Sequence, residues 1–177
     1  MALVTLLSDS GESDHYVAAI KAKILSTNPG LTLVDISHHV EPCNLAHGAY
    51  VLKSVFRDFP KGTVHLVAVH STGEPDSPFV AIQLEDHYFV GIDNGLLGLI
   101  SDKPHQNLVE LNSNNSISST FPERDILAPA AARLASGVSI TTLGKTLEDY
   151  RKLVNRHVKA TKKQILGPVI RVDRYGD

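Results

Sequence analysis

The sequence predicts an α/β fold, in which a mainly parallel central sheet carries helices on both faces. Short runs of β-favouring residues alternate with longer segments whose apolar residues recur at helical spacing. The chain has 177 residues, of which 42% are hydrophobic and 20% charged, as expected for one domain with a sizeable core. Alternating strands and helices form βαβ units, so right-handed crossovers are expected.

The first half of the chain supplies the strand-helix alternation. Apolar runs bounded by turn residues predict strands at 2–7, 31–36 and 63–69. A helix is predicted between the first two strands, with Ser13 as its cap and Asp14 at the positive end of its dipole. A second helix is predicted from Asn44 to Phe59, because its apolar residues fall on one face.

The second half begins with a predicted hairpin. Two strand-like runs, 79–84 and 87–92, are separated only by Glu85-Asp86, which is the length of a tight turn. The remaining predicted elements are a strand at 108–111, a polar loop at 112–120 and a helix around 125–136. Gly137 fits the end of that helix.

Composition argues against several classes of partner. The formal net charge is −2, so no basic excess attracts nucleic-acid phosphates. No apolar run approaches the roughly 20 residues of a membrane-spanning helix. The N-terminus shows no signal-peptide pattern, in which a basic region precedes an apolar core. Cys43 is the only cysteine, which excludes an intrachain disulfide and fits a reducing compartment. We therefore expect a cytoplasmic protein that binds neither nucleic acid nor membranes.

Two carboxylates flank the first turn. Asp9 follows the first predicted strand, and Asp14 lies five positions later. A carboxylate at a strand end can accept two hydrogen bonds from a ribose diol. The alternative is that Asp9 only forms the turn and Asp14 only starts the helix.

Histidines near strand ends raise the question of a metal site. Asp35, His38 and His39 follow the second strand, and His70 follows the third. No HxH or HExxH pattern is present, so we do not expect a metal ion, although a histidine-metal hydrolase remains a third alternative.

Five segments, taken in order, resemble one enzyme family. They are LLSDSGESDHYVAAIKAKIL, VDISHHVEPCNLAHGAYVL, FPKGTVHLVAV, DNGLL and RDILAPAAARLASG. The chain is similar in these segments to the S-adenosyl-L-methionine (SAM) hydroxide adenosyltransferases, the SAM-hydrolysing relatives of fluorinases and chlorinases. The resemblance runs from residue 3 to the end of the sequence.

The resemblance implies a reaction and an assembly. Water attacks C5′ of SAM and releases adenosine and L-methionine, with no metal or cofactor because the sulfonium is already a good leaving group. It also implies that residues 1–166 form an N-terminal α/β domain that binds SAM or adenosine, and that 167–177 begin a linker or a C-terminal β-barrel domain. The family's enzymes are homotrimers with sites between subunits, so the resemblance implies the same assembly here. Asp9 corresponds to the carboxylate that holds the ribose diol, and Asp14 to the second aspartate of that motif.

The family's water-activating Asp-Arg-His set is replaced here. The corresponding positions hold His70, Ser77 and Pro122. We expect His70 or Glu123 to act as the general base instead, since either side chain can accept a proton. The other expected substrate-binding residues are Thr72, Gly73, Ser77, Asn94, Phe121 and Arg124. The sequence thus predicts a SAM hydrolase, with a catalytically silent SAM- or adenosine-binding homologue as the alternative.

Overall fold

A seven-stranded sheet forms the centre of the molecule, with the strand order β2-β1-β3-β5-β4-β6-β7. The computed structural model describes residues 2–71, 77–111, 119–153, 159–161, 163–167, 169–173 and 175–176. The strands are β1 (Leu3–Ser8), β2 (Thr32–Ser37), β3 (Val64–Ala68), β4 (Phe79–Leu84), β5 (His87–Ile92), β6 (Asn107–Leu111) and β7 (Gly144–Thr146). Both faces of the central strands are buried, which explains their nearly continuous apolar sequence.

Helices cover both faces of this sheet, as the sequence predicts. They are α1 (Tyr16–Thr27), α2 (Leu45–Val55), α3 (Leu97–Ile100) and α4 (Ala128–Ala135). One core cluster joins α1 and α4 to β1 and β3 through residues such as Ile24 and Leu66. A second cluster joins α2 and α3 to the opposite face through residues such as Leu52 and Val67.

The sheet is mixed, and the prediction of a mainly parallel sheet is wrong. β2, β1, β3 and β5 run parallel. β4 is antiparallel to β5 and β6, and β7 is antiparallel to β6. The predicted hairpin is the physical reason, because strands joined by only Glu85-Asp86 have no room for a crossover.

The helix ends agree only in part with the sequence predictions, and α2 ends at Val55, where a 3₁₀ turn, Phe56–Asp58, replaces the predicted continuation to Phe59. α1 begins at Tyr16, with no side-chain cap and no acidic residue in its first turn, so the predicted cap at Ser13 is wrong. Asn44 does cap α2, accepting a hydrogen bond of 3.0 Å from the backbone N–H of His47. A π-helical turn, Glu123–Leu127, precedes α4. Gly137 ends α4 with φ near +91°, as its position predicts.

Two buried histidines lie within the sheet. His65 shares a hydrogen bond of 2.7 Å with the Thr5 hydroxyl, and its other ring nitrogen lies 3.2 Å from His87 Nδ1. His65 also stacks on Phe89, with ring centroids 4.8 Å apart. Burial, together with the nearby His87, lowers the pKa of His65 to about 3. This pair is therefore neutral and structural, and it lies outside the candidate site.

Beyond β7 the described residues form a short separate hairpin of β8 (Lys159–Ala160) and β9 (Ile165–Leu166). The domain boundary near residue 166 stays a prediction. Within the described ranges, no helix is long and apolar enough to cross a membrane.

Candidate functional site

The candidate site lies where β1 and β3 end side by side. β1 pairs with β2 on one side and with β3 on the other, so the chain connections diverge at this point. Such a switch point opens a crevice outside the carboxyl ends of the strands, where α/β sheets bind ligands. Asp9 follows β1 and His70 follows β3, so both lie at this crevice.

Asp9 is held by the backbone of two loops. Its Oδ2 accepts hydrogen bonds of 3.0 Å from the N–H groups of Cys43 and His70. Both donors have positive φ, 61° and 53°, a conformation unusual for residues other than glycine. The second oxygen, Oδ1, accepts no hydrogen bond from the described part of the chain. One carboxylate oxygen thus anchors the loops, and the other is available to a ligand hydroxyl.

The loop that carries Cys43 is fixed at both ends. The N–H of Gly11 donates to the His38 carbonyl at 2.8 Å, and the N–H of Val40 donates to the Ser8 carbonyl at 3.3 Å. At the other end, His47 Nδ1 accepts a hydrogen bond of 3.1 Å from the N–H of Glu41. Cys43 is therefore presented to Asp9 by a loop that is tied to β1 and to α2.

A buried chain of polar groups supports the end of β1. Ser8 and His38 are each 2% exposed, and Ser8 Oγ lies 2.7 Å from His38 Nδ1. His38 Nε2 lies 3.1 Å from Asp35, which also accepts from Lys21 at 2.5 Å. Burial alone would raise the pKa of Asp35, but the hydrogen bonds from Lys21 and His38 outweigh it and lower the pKa. Asp35 is thus a charged anchor for the imidazole beside Asp9.

Glu123 lies at the start of the π-helical turn before α4. Burial raises the pKa of its carboxyl above the ordinary value, and the negative charges of Asp9 and Asp125 raise it further. Its own backbone and the Ser71 hydroxyl act in the opposite direction. The structure therefore brings Glu123 to Asp9 and to the end of β3, and gives it the proton affinity of a base.

The loop after β3 carries several predicted site residues. His70 is half-buried, and Ser77 is 9% exposed at the other end of this loop. Thr72 and Gly73 lie outside the described residues. Asn94 is 2% exposed, and its amide is already bonded. It donates to the Val69 carbonyl at 2.9 Å and accepts from the Leu96 N–H at 3.1 Å, so it supports the end of β3.

Phe121 and Arg124, which lie on either side of Glu123 in the sequence, belong to a small aromatic surface. The Phe121 ring meets Tyr16 edge to face, with centroids 5.4 Å apart, and the Arg124 guanidinium lies 5.2 Å from the Phe121 ring. The same guanidinium donates to Asp125 at 2.7 Å and 3.1 Å. Arg124 is therefore paired with Asp125, the next residue along the chain.

The structure also places the remaining predicted residue and adds others to the set. Asp14 is exposed in the bend before α1. From the sequence, His38 was considered only as a metal ligand, and Cys43 and Ser71 were not identified as site components. Cys43 acts through its backbone N–H and Ser71 through a buried hydroxyl, and neither leaves a sequence motif. Histidines at strand ends were the only signal that could have drawn attention to His38. Among the described residues, no group of three metal-ligating side chains comes together.

Comparison with known proteins adds an independent finding. A model of the SAM hydroxide adenosyltransferase N-terminal domain matches residues 4–144. The chain belongs to this family. It is 31% identical to an (R)-S-adenosyl-L-methionine hydrolase of Methanocaldococcus jannaschii over 99% of this chain and 65% of that protein. Its identity to the Thermus thermophilus protein of the same name is 32%, over 98% of this chain and 72% of that one.

More distant relatives and solved structures agree with the fold. A fluorinase of Actinoplanes sp. is 25% identical over 83% of this chain and 59% of its own length. The crystal structure of an uncharacterized conserved protein from Thermotoga maritima has a TM-score of 0.90 and 32% identity. That match covers 98% of this chain and 68% of the other. This chain thus spans about two thirds of the length of its hydrolase relatives.

Proposed function

We propose that this protein hydrolyses SAM, with water attacking C5′ to give adenosine and L-methionine. The observation that carries the proposal is the Asp9 carboxylate. It is fixed by two backbone N–H groups at the β1–β3 crevice and has a second oxygen available for a ribose hydroxyl. The hydrolase names of the relatives support the same reaction.

The charge of the site suits this substrate. Asp9 and Glu123 lie close enough for the first to raise the pKa of the second. An acidic crevice attracts the positively charged sulfonium and disfavours an anionic nucleophile such as a halide. A neutral water molecule that passes its proton to a carboxylate fits these electrostatics better. We therefore favour hydrolysis over halogenation, and we assign Glu123 as the base, with His70 as the alternative.

No metal or cofactor is required in this proposal, because the sulfonium leaves as a neutral thioether. Activity is expected to survive treatment with a chelator. We also propose that the protein assembles as a homotrimer in the cytoplasm, and light scattering of the purified chain tests the trimer. Six residues remain proposed substrate contacts: Thr72, Gly73, Ser77, Asn94, Phe121 and Arg124. Asp14 is a further one.

The second candidate is a catalytically silent SAM- or adenosine-binding protein. Pro122 favours it, because it occupies the position of the family's water-activating histidine and has no titratable group. Incubation with SAM, followed by chromatography of adenosine and methionine against a protein-free control, separates the two. Release of both products supports hydrolysis. Calorimetric binding of SAM without release supports the silent homologue.

Comparison of His70→Ala with Glu123→Gln identifies the base. If Glu123 is the base, Glu123→Gln loses about 10²–10⁴-fold in kcat, and His70→Ala retains most activity. The opposite order would assign the role to His70.

A further inference from the structure

Ser71 carries a buried hydroxyl that lacks a partner. The residue is 5% exposed, and its Oγ makes no hydrogen bond within the described residues. Buried polar side chains in folded proteins almost always have a partner, so an exception needs an explanation. Among the described residues, no strand ladder or helix cap uses this hydroxyl, which points to a role toward a ligand or a water molecule.

The position of Ser71 points into the candidate site. It directly follows His70, whose N–H is bonded to Asp9. Burial raises the pKa of the Glu123 carboxyl and hydrogen bonding from the Ser71 hydroxyl lowers it, so the two groups face one another, although Ser71 Oγ falls short of a well-formed hydrogen bond. A hydroxyl and a carboxyl that face one another in this way suit a molecule with two donors held between them.

We propose that Ser71 and Glu123 hold the attacking water between them, with Ser71 as the positioning residue and Glu123 as the base. This inference rests on the proposed function. The water donates one hydrogen to the Glu123 carboxylate and the other to Ser71 Oγ, so that a lone pair of its oxygen is left for C5′ of SAM.

The chemical step is balanced with these two residues. The water oxygen forms a bond to C5′ while the bond between C5′ and sulfur breaks, and that electron pair stays on sulfur as the neutral thioether of methionine. One water proton passes to Glu123 and then to solvent. Ser71 exchanges no proton in this step, because it only orients the nucleophile.

The test compares Ser71→Ala with Ser71→Thr in the full chain. Removing one hydrogen bond to the water is expected to lower kcat about tenfold to a hundredfold. The KM for SAM and the Kd for adenosine should stay unchanged, since Ser71 does not hold the nucleoside. Ser71→Thr keeps the hydroxyl and should recover most of the lost kcat.

Ser101→Ala is the matched control. Ser101 is also a buried serine, 7% exposed, but its hydroxyl donates to Glu85 at 2.6 Å, outside the site. The control should lower stability without changing kcat. A Ser71→Ala enzyme with wild-type kcat would overturn the role of Ser71 alone. Absence of adenosine release from the wild-type protein would overturn the proposed function as well, so the two failures are distinguishable.

Discussion

Replacement of Asp9 by asparagine is expected to weaken nucleoside binding without unfolding the sheet. Asp9 Oδ2 accepts from the N–H groups of Cys43 and His70, both at 3.0 Å. A hydrogen bond to a charged acceptor contributes about 1.5–3 kcal/mol, and a neutral one about 0.5–1.5 kcal/mol. Asparagine keeps an oxygen acceptor but loses the charge, so the change should lower the free energy of unfolding by about 1–2 kcal/mol.

The effect on ligand binding follows from the other oxygen. In the wild-type protein, the negatively charged carboxylate would accept a hydrogen bond from a ribose hydroxyl through Oδ1. Loss of about 1–2 kcal/mol at that contact weakens the adenosine Kd about fivefold to thirtyfold. Asp9→Ala should be worse in both respects, because it leaves the N–H groups of Cys43 and His70 without their partner. We expect it to lower the free energy of unfolding by about 2–4 kcal/mol.

Calorimetric titration with adenosine measures the effect on nucleoside binding. Urea denaturation measures the effect on the free energy of unfolding. Asp102→Asn is the matched control, since Asp102 is exposed in the loop after α3 and distant in sequence from the site. It should change neither quantity. If Asp9→Asn loses stability as expected but binds adenosine with wild-type affinity, Asp9 is a loop anchor only, and the ribose assignment is wrong.

Three further predictions concern groups with perturbed protonation or buried partners. The kcat of the wild-type protein should fall as the pH drops through the Glu123 pKa, which burial raises above 4.5, and Glu123→Gln should abolish that dependence in a pH–rate profile. The His65 contribution to the unfolding free energy should fall by about 1.4 kcal/mol for each pH unit between pH 6.5 and about 3, because His65 binds a proton there in the unfolded chain and not in the folded one. His65→Phe should flatten that slope in urea titrations at several pH values. His38→Ala should lower the free energy of unfolding by about 1–3 kcal/mol, since the buried Ser8 hydroxyl loses its partner, and it should also weaken adenosine binding measured by calorimetry.

Local sequence signals predicted the parts of the fold that depend on local chemistry. The hairpin between β4 and β5 follows from the two-residue spacing at Glu85-Asp86, and the C-terminal end of α4 follows from Gly137. Antiparallel pairing of β6 and β7 was not predicted, because it depends on contacts between strands that are distant in the chain. α1 begins without Ser13 as its cap, which shows packing of its apolar face overriding a capping preference.

The candidate site was predicted only in outline. Asp9 and His70 follow strands that the sequence predicted, and the structure adds that β1 and β3 pair in parallel and so end at the same edge of the sheet. Asn94 supports the end of β3 through its side chain, and its contact with substrate stays a prediction. Ser71 gave no signal, because a lone serine becomes informative only when its burial is known.

Hydrolysis of SAM in ¹⁸O-labelled water tests the central claim most directly. Attack of water on C5′ predicts that adenosine carries one ¹⁸O atom at its 5′-hydroxyl and that methionine carries none. Mass spectrometry of both products reads this out in one experiment, and denatured protein serves as the control. Unlabelled adenosine, or no adenosine above the control, would contradict the proposed hydrolysis.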